Sequence, residues 1–391
     1  MFEIILQEFK KIYGTDLNIE PTKFFAPGRV NLIGEHTDHE GGNVFPCAIN
    51  LGIYALANLR PGNSVRLCSL NFDENKTPFE INFSDIKLQD SIKWVNYPLG
   101  VINILQNLGH KFNSGIDILY YGNLPDGAGL SSSAAIEVLT ARIFNELYNL
   151  NLDGVDLAKI SQRAENEFVG MHCGIMDQFA VSMGKKNNAV LLNCSSLKYS
   201  YAPLNLDSCK IIITNSNVQH SLAGSEYNLR REQCENALKD LQTVKNIKCL
   251  CDLTPEEFEN LSGSIKNPES FKRAKHVIYE NARTLNATEK LKAGDLKAFG
   301  KLMDESHISL RDYYQVTIFE LDTLAELAWK IPGVYGSRMT GGGFGGCTVS
   351  IVDKNIIDEF KNSVGENYKK STGRSASFYI VDTSDGANKI L

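Results

Sequence analysis

Apolar residues recur along this chain in two rhythms, a helical one and a strand-like one, and three glycine-rich stretches punctuate them. Residues 131–148 repeat apolar positions at helical spacing, whereas the short run 116–121 just before them is almost continuously apolar, as a buried strand is. The intervening Leu124-Pro-Asp-Gly-Ala-Gly-Leu-Ser-Ser-Ser-Ala-Ala135 is therefore predicted to join a strand to the start of a helix. The first ten residues read as an amphipathic helix, and 52–70 as strand broken by the turn Pro61-Gly-Asn63. Further strands are predicted at 189–194, 209–215, 347–352 and 376–382, with a strand and loop over 76–90. Helical spacing marks 98–108, 155–170, 268–286, 295–312, 320–330 and 355–367.

The middle glycine stretch has the chemistry of an anion cradle. A helix N-terminus leaves bare N–H groups and a favourable dipole, here over Gly127, Ala128, Gly129, Leu130, Ser131, Ser132 and Ser133, and Gly127 and Gly129 allow close backbone approach. An ordinary serine-capped helix would read the same way locally. The first stretch, Ala26-Pro-Gly-Arg-Val-Asn-Leu-Ile-Gly-Glu-His-Thr-Asp38, concentrates polar side chains around a short apolar core. Glu35 and Asp38 can each accept two hydrogen bonds, as neighbouring sugar hydroxyls require, His36 can donate or accept, and Arg29 offers a cationic fork for an oxyanion or phosphate. A solvated surface turn is the competing reading. Asp177 lies in the largely apolar Met171-His-Cys-Gly-Ile-Met-Asp-Gln-Phe179, twelve residues after Glu165. One of these two carboxylates can hold Mg²⁺ while the other takes a proton from an attacking hydroxyl; the bland alternatives are a helix cap for Asp177 and a solvated helix residue for Glu165. In the third stretch Gly341, Gly343 and Gly346 formally satisfy G-x-G-x-x-G, but a strand follows them where a dinucleotide fingerprint would open a helix. Close approach of backbone to a ligand or to a facing domain explains the glycines better.

Length and charge narrow the function. A chain of 391 residues exceeds one core, and the polar stretch 195–208 divides it into 1–203 and 204–391. A net charge of −6 argues against a nucleic-acid-binding face, no apolar run is long enough to span a bilayer, and the first residues resemble neither signal nor anchor. Nine scattered cysteines, an odd number, suit reduced thiols in the cytoplasm. Cys249 and Cys251 form the one close pair and, without a second pair at zinc spacing, read as structural or incidental. His36 and His39 invite a metal, yet His-Glu-x-x-His is absent and no third ligand is assignable.

The three stretches together resemble the galactokinases of the GHMP small-molecule kinase superfamily. Pro27 to Asp38 is similar to the galactokinase signature, Gly127 to Ala134 to the superfamily ATP loop and Gly341 to Gly346 to its C-terminal glycine motif; the first, with Cys173-Gly-Ile-Met-Asp-Gln178, points to the sugar kinases. The signature usually continues with tyrosine where this chain has His39. The resemblance implies an α/β (α+β) fold of two domains with the active site in the cleft between them. It also implies that Glu35, His36, Asp38, Gly174 and Tyr227 bind galactose, that Asp177 is the base on the C1 hydroxyl, and that Arg29 keeps Asp177 ionised and stabilises the transferring charge. Ser133 and Glu165 would hold Mg²⁺, residues 127–133 would wrap the phosphates of ATP, and Ser69 would contact the nucleotide. The implied partners are galactose and ATP, with no nucleic acid and no membrane, and the chain is expected to be a monomer or weak homo-oligomer. No Gly-Lys-Ser/Thr occurs, so the serine-rich loop must replace a Walker A motif. The rivals are a related kinase acting on N-acetylgalactosamine, mevalonate or homoserine, a galactose and ATP sensor without turnover, and a dinucleotide-dependent oxidoreductase resting on the misplaced glycines.

Overall fold

The largest sheet gathers strands from both ends of the chain. In the computed structural model, which describes residues 1–14, 20–73, 75–125, 127–218 and 223–390, its order is Asn388–Ile390, Thr22–Asn31, Pro46–Arg60, Gly115–Gly122, Ser64–Ser69, Phe79–Asn82. Every neighbouring pair is antiparallel except Ser64–Ser69 against Gly115–Gly122, whose connection carries the helix Asn96–Asn107 and so can return parallel. The central strands read as nearly continuous apolar runs because both faces are covered. Ala55, Ala57, Ile118 and Tyr120 face a core shared with the helices Asn96–Asn107, Ser132–Leu147 and Gly154–Arg163. Their alternates Leu56 and Leu119 face the helix Phe2–Tyr13 through Ile5 and Phe9.

A four-stranded antiparallel sheet, in the order Val334–Thr340, Cys347–Asp353, Cys209–Asn215, Ser377–Val381, forms the second centre. Ile212, Val352 and the helices Phe319–Trp329 and Ile357–Thr372 make one core. On the opposite face Ile211, Ile213, Val349 and Ile351 pack with Val30, Leu32, Phe45 and Ile49 of the first half. A three-stranded sheet of Asn43–Val44, Asn188–Asn193 and Tyr199–Pro203 lies before the polar crossing, and Cys209–Asn215 opens the second sheet after it. The chain end then crosses back, pairing Ile390 with Lys23. The molecule is thus a mixed α+β fold. Among the described residues no helix is long and apolar enough to cross a membrane.

Three local departures from the sequence pattern matter for the site. The third glycine stretch is a hairpin: Gly336 to Thr340 already lies in a strand, so the glycines that follow turn one antiparallel strand into the next. The helices predicted over 155–170 and 295–312 both end in a turn of π-helix, Ala164–Val169 and Leu310–Tyr314, a distortion that re-aims side chains and is frequent at functional sites. Between Pro27 and Gly28 a register shift bends the first strand just before Arg29.

Candidate active site

Main-chain bonds bring the three glycine-rich stretches into contact. Arg29 N–H donates to the Leu130 carbonyl at 3.3 Å, joining the first stretch to the loop, and Gly341 N–H donates to Glu35 Oε1 at 2.6 Å, joining it to the hairpin. Gly341 has φ +86°, a conformation that favours glycine, and its Cα hydrogen side comes within van der Waals reach of the Gly129 carbonyl.

At this junction the Arg29 guanidinium grips Asp177 with two parallel hydrogen bonds, Nε to Oδ1 and Nη2 to Oδ2, each 2.7 Å. Its third nitrogen, Nη1, donates to the Gly129 carbonyl at 2.7 Å, so the same side chain fixes the loop and the carboxylate. Asp177 stands in the first turn of the helix Met176–Met183 and does not cap it, since Ile175 occupies that position. Ser131 is the residue before the helix Ser132–Leu147, but it adopts φ +63° and makes no capping bond. Its hydroxyl turns aside and donates to Asp177 Oδ2 at 2.6 Å. An ordinary serine cap is therefore excluded, and the leading N–H groups of the helix, including those of Ser132 and Ser133, face out of the helix end with no intrahelical acceptor possible. Asp126, within the loop, lies outside the described residues.

Glu165 is positioned by the π-turn and is only 8% exposed, which rules out a solvated helix residue. Its Oε2 accepts from Gln178 Nε2 at 2.6 Å and from the Cys173 thiol at 3.5 Å, and the nearby Ser133 hydroxyl favours its charged form. Among the described residues no lysine or arginine pairs with it. Burial, with the nearby Asp177 charge, raises its pKa above the ordinary range. Behind it lies Glu137, fully buried, sharing Gln178 Nε2 at 3.2 Å and leaving Oε1 without a hydrogen-bond partner. Burial, reinforced by Glu165, pushes Glu137 well above the usual carboxylate range. Sequence reasoning missed Glu137, yet a signal existed: four residues after Ser133, it must share a helix face with it.

The neighbouring pocket is lined by Arg29, Glu35, His36, Asp38, Gly174, Asp177 and Tyr227 among others, so every residue expected to contact the sugar meets there. His36, one of the residues lining this pocket, has φ +60° and a buried Nε2 with no hydrogen-bond partner. Burial drives its pKa well down, so it enters as a neutral imidazole. Asp38 lies against Gly174, where any Cβ would overlap its Oδ2. Burial, the largest single influence, opposes ionisation of Asp38, but the hydrogen bonds from His39, including Nδ1 at 3.2 Å, and the electrostatic influence of His39 and His36 together outweigh it and hold the carboxyl below its ordinary range. Glu35 is already engaged by the protein, taking Asn31 Nδ2 at 2.6 Å and Arg338 Nη1 at 3.4 Å besides Gly341. Burial raises its pKa, with Arg338 opposing. Arg338, fully buried with Nε and Nη2 unpartnered, is a second residue that sequence reasoning passed over, although it stands within the third glycine stretch.

On the far side of the loop an apolar cavity is lined by Ser69, Asn71, Phe72, Trp94, Tyr97, Tyr120, Ser132, Ser133 and Ile136. Ser69 accepts from Asn71 N–H at 3.2 Å and supports the wall of this aromatic slot. The two cavities are thus separated by the loop and joined through Ser131, Asp177 and Arg29. The residues expected to contact the sugar lie on one side and an aromatic-lined site on the other.

Known proteins resemble this chain over its whole length. The galactokinase galactose-binding signature matches residues 7–59, the N-terminal domain of the GHMP kinases residues 96–185 and their C-terminal domain residues 287–370. The chain is 52% identical to a galactokinase of Clostridium beijerinckii over 99% of this chain and 98% of that one. It is 50% identical to one of Fusobacterium nucleatum over the whole of both. The structure of Lactococcus lactis galactokinase complexed with galactose matches with a TM-score of 0.96 at 40% identity, covering 100% of each chain. The fold, the junction of the three stretches and these full-length likenesses lead to one conclusion: this chain belongs to the galactokinase family of the GHMP kinases.

Proposed function

We propose that the chain transfers the γ-phosphoryl group of ATP to the C1 hydroxyl of α-D-galactose, releasing ADP and galactose 1-phosphate. The observation that carries this reading is Asp177, a carboxylate gripped by a bidentate arginine at the wall between a polar pocket and an aromatic one. Galactose occupies the polar pocket against Asp38, His36, Gly174 and Tyr227, with Glu35 locked in place behind them. Asp177 accepts the C1 hydroxyl proton as the oxygen attacks phosphorus. Arg29 orients that carboxylate through its two hydrogen bonds and stabilises charge spreading over the transferred group. The adenine ring suits the slot of Phe72, Trp94 and Tyr97 beside Ser69, and the open N–H groups from Gly127 to Ser133 cradle the phosphates.

Ser133 and Glu165 offer only oxygen donors, and Glu165 is buried without a cationic side chain beside it, a donor set that fits Mg²⁺. Bound there, Mg²⁺ would supply neutralisation of the phosphate charge. We place the division between the two domains at 203/204, where the polar crossing separates strands of different sheets, and the reaction in the cleft between them. A cytoplasmic setting accords with nine free thiols.

The test is a substrate panel. With Mg²⁺-ATP the chain is expected to phosphorylate galactose in preference to N-acetylgalactosamine and glucose. A preference for either of the others would remove the galactose assignment, and binding of both ligands without turnover would remove catalysis.

A further inference from the structure

We propose that His39, Glu40 and Cys234 form a site for a zinc-class divalent cation behind the sugar pocket. The Nε2, carboxylate and Sγ donors of these three residues lie within 4.8 Å of one another. Their side chains are 3%, 6% and 0% exposed, so the site is enclosed by protein. The Tyr314 hydroxyl sits among them, 3.4 Å from His39 Nε2 and 3.8 Å from Cys234 Sγ, and Glu40 Oε1 is 3.9 Å from His39 Nε2. Ligand atoms around a tetrahedral zinc with bonds of about 2.0–2.3 Å stand about 3.3–3.8 Å apart, so a slight contraction turns these donors into a coordination shell.

Two further observations point to a cation. The buried Glu40 carboxylate forms no close ion pair with arginine or lysine among the described residues, Arg231 acting on it only from a distance, and a buried carboxylate is stabilised by a positive charge beside it. The other ring nitrogen of His39, Nδ1, bonds Asp38 Oδ1 at 3.2 Å, the carboxylate–histidine arrangement that fixes the tautomer and aims Nε2 at a metal. On binding, the Cys234 thiol gives up its proton to solvent and the thiolate becomes the soft donor that distinguishes this site from the all-oxygen pair of Ser133 and Glu165. Because His39 is shared with Asp38, occupancy alters the carboxylate that faces the sugar. That coupling rests on the sugar reading of the pocket; metal uptake does not.

The experiment is a titration of the chelator-treated chain with Co²⁺ or Cd²⁺, followed by the ultraviolet thiolate-to-metal band, with galactose affinity measured in parallel. The band is expected to saturate at one equivalent, to vanish in Cys234→Ser and to need at least about 10-fold more metal in His39→Tyr. It should persist in Cys249→Ser and Cys251→Ser, whose thiols abut Gly41 and Gly42 close by. Absence of the band, or its survival in Cys234→Ser, overturns the site. Metal should shift the galactose Kd by at least about fivefold in the wild type and not in Cys234→Ser. Metal uptake with an unchanged Kd would overturn the coupling alone, and metal uptake without any galactose binding would leave the site standing while removing the sugar assignment.

Discussion

Asp177, partly exposed, and Glu165, buried, are neighbouring acids whose surroundings are opposite. Asp177 is held by a guanidinium through two hydrogen bonds and by a serine hydroxyl through a third. Glu165 has an amide, a thiol, a hydroxyl and a second carboxyl around it, and no cationic side chain among the described residues. A carboxylate whose charge is already matched can serve as a base at neutral pH without help. One whose charge is unmatched is stable only when protonated or when a cation is supplied. The same functional group is thus suited to the proposed proton-transfer role in one place and to the proposed metal role in the other by its neighbours.

The contrast can be broken most forcefully at Asp177. Asp177→Asn removes the base while keeping the shape, and the expected result is a loss of about 10²–10⁴ in kcat with ATP affinity retained, measured by ADP release and by nucleotide titration. Near-normal turnover would take the base role from Asp177. A smaller, substrate-directed effect is expected at Gly174→Ala, whose Cβ would overlap Asp38. Overpacking of about 1–3 kcal/mol should raise the galactose KM about 5- to 150-fold with little change for ATP, and an equal rise for both substrates would contradict the assignment of Asp38 to the sugar side. Ser131→Ala deletes one of three bonds to Asp177 and should lower kcat several-fold, by about 0.5–1.5 kcal/mol, without altering metal dependence. A shift confined to the metal dependence would mean that Ser131 serves Glu165 instead.

The smallest effect concerns stability. Burial raises the pKa of both Glu165 and Glu137, so the folded chain holds those protons more tightly than the unfolded one. Their contribution is fully present below the ordinary carboxylate range and is lost as pH rises through the raised values. The melting temperature of the metal-free chain should therefore fall as pH rises above the ordinary carboxylate range, and Glu137→Gln, with no proton to lose, should flatten that decline. A parallel slope in the variant would show that the pair does not titrate in this range.

Much of this arrangement was legible in the sequence where the chemistry is local. The polar run from Arg29 to Asp38, the glycine-serine loop and the isolated Asp177 each carry residue types that need a partner, and they do meet. What could not be read depends on distant pairing or on a single dihedral. Glu35 and Arg338 are 303 residues apart, and no periodicity reports such a contact. Ser131 has the composition of a cap, and only its left-handed backbone sends the hydroxyl to Asp177 instead. His39 was set aside as a metal ligand for want of a third donor, because Cys234 reaches it only through the fold. The strand before the last glycine run was hidden by its glycine and serine content, and pairing with Cys347–Asp353 imposes it.

The central claim, transfer to the anomeric oxygen with Asp177 as acceptor of its proton, is tested most directly by the product. Galactose labelled with ¹³C at C1 is incubated with the chain and Mg²⁺-ATP and followed by ¹³C and ³¹P NMR. The account predicts that the C1 resonance becomes split by phosphorus as ADP forms in equal amount, and that Asp177→Asn does not produce the split signal. Phosphorus coupling at another carbon, or ADP release without any sugar phosphate, would contradict it.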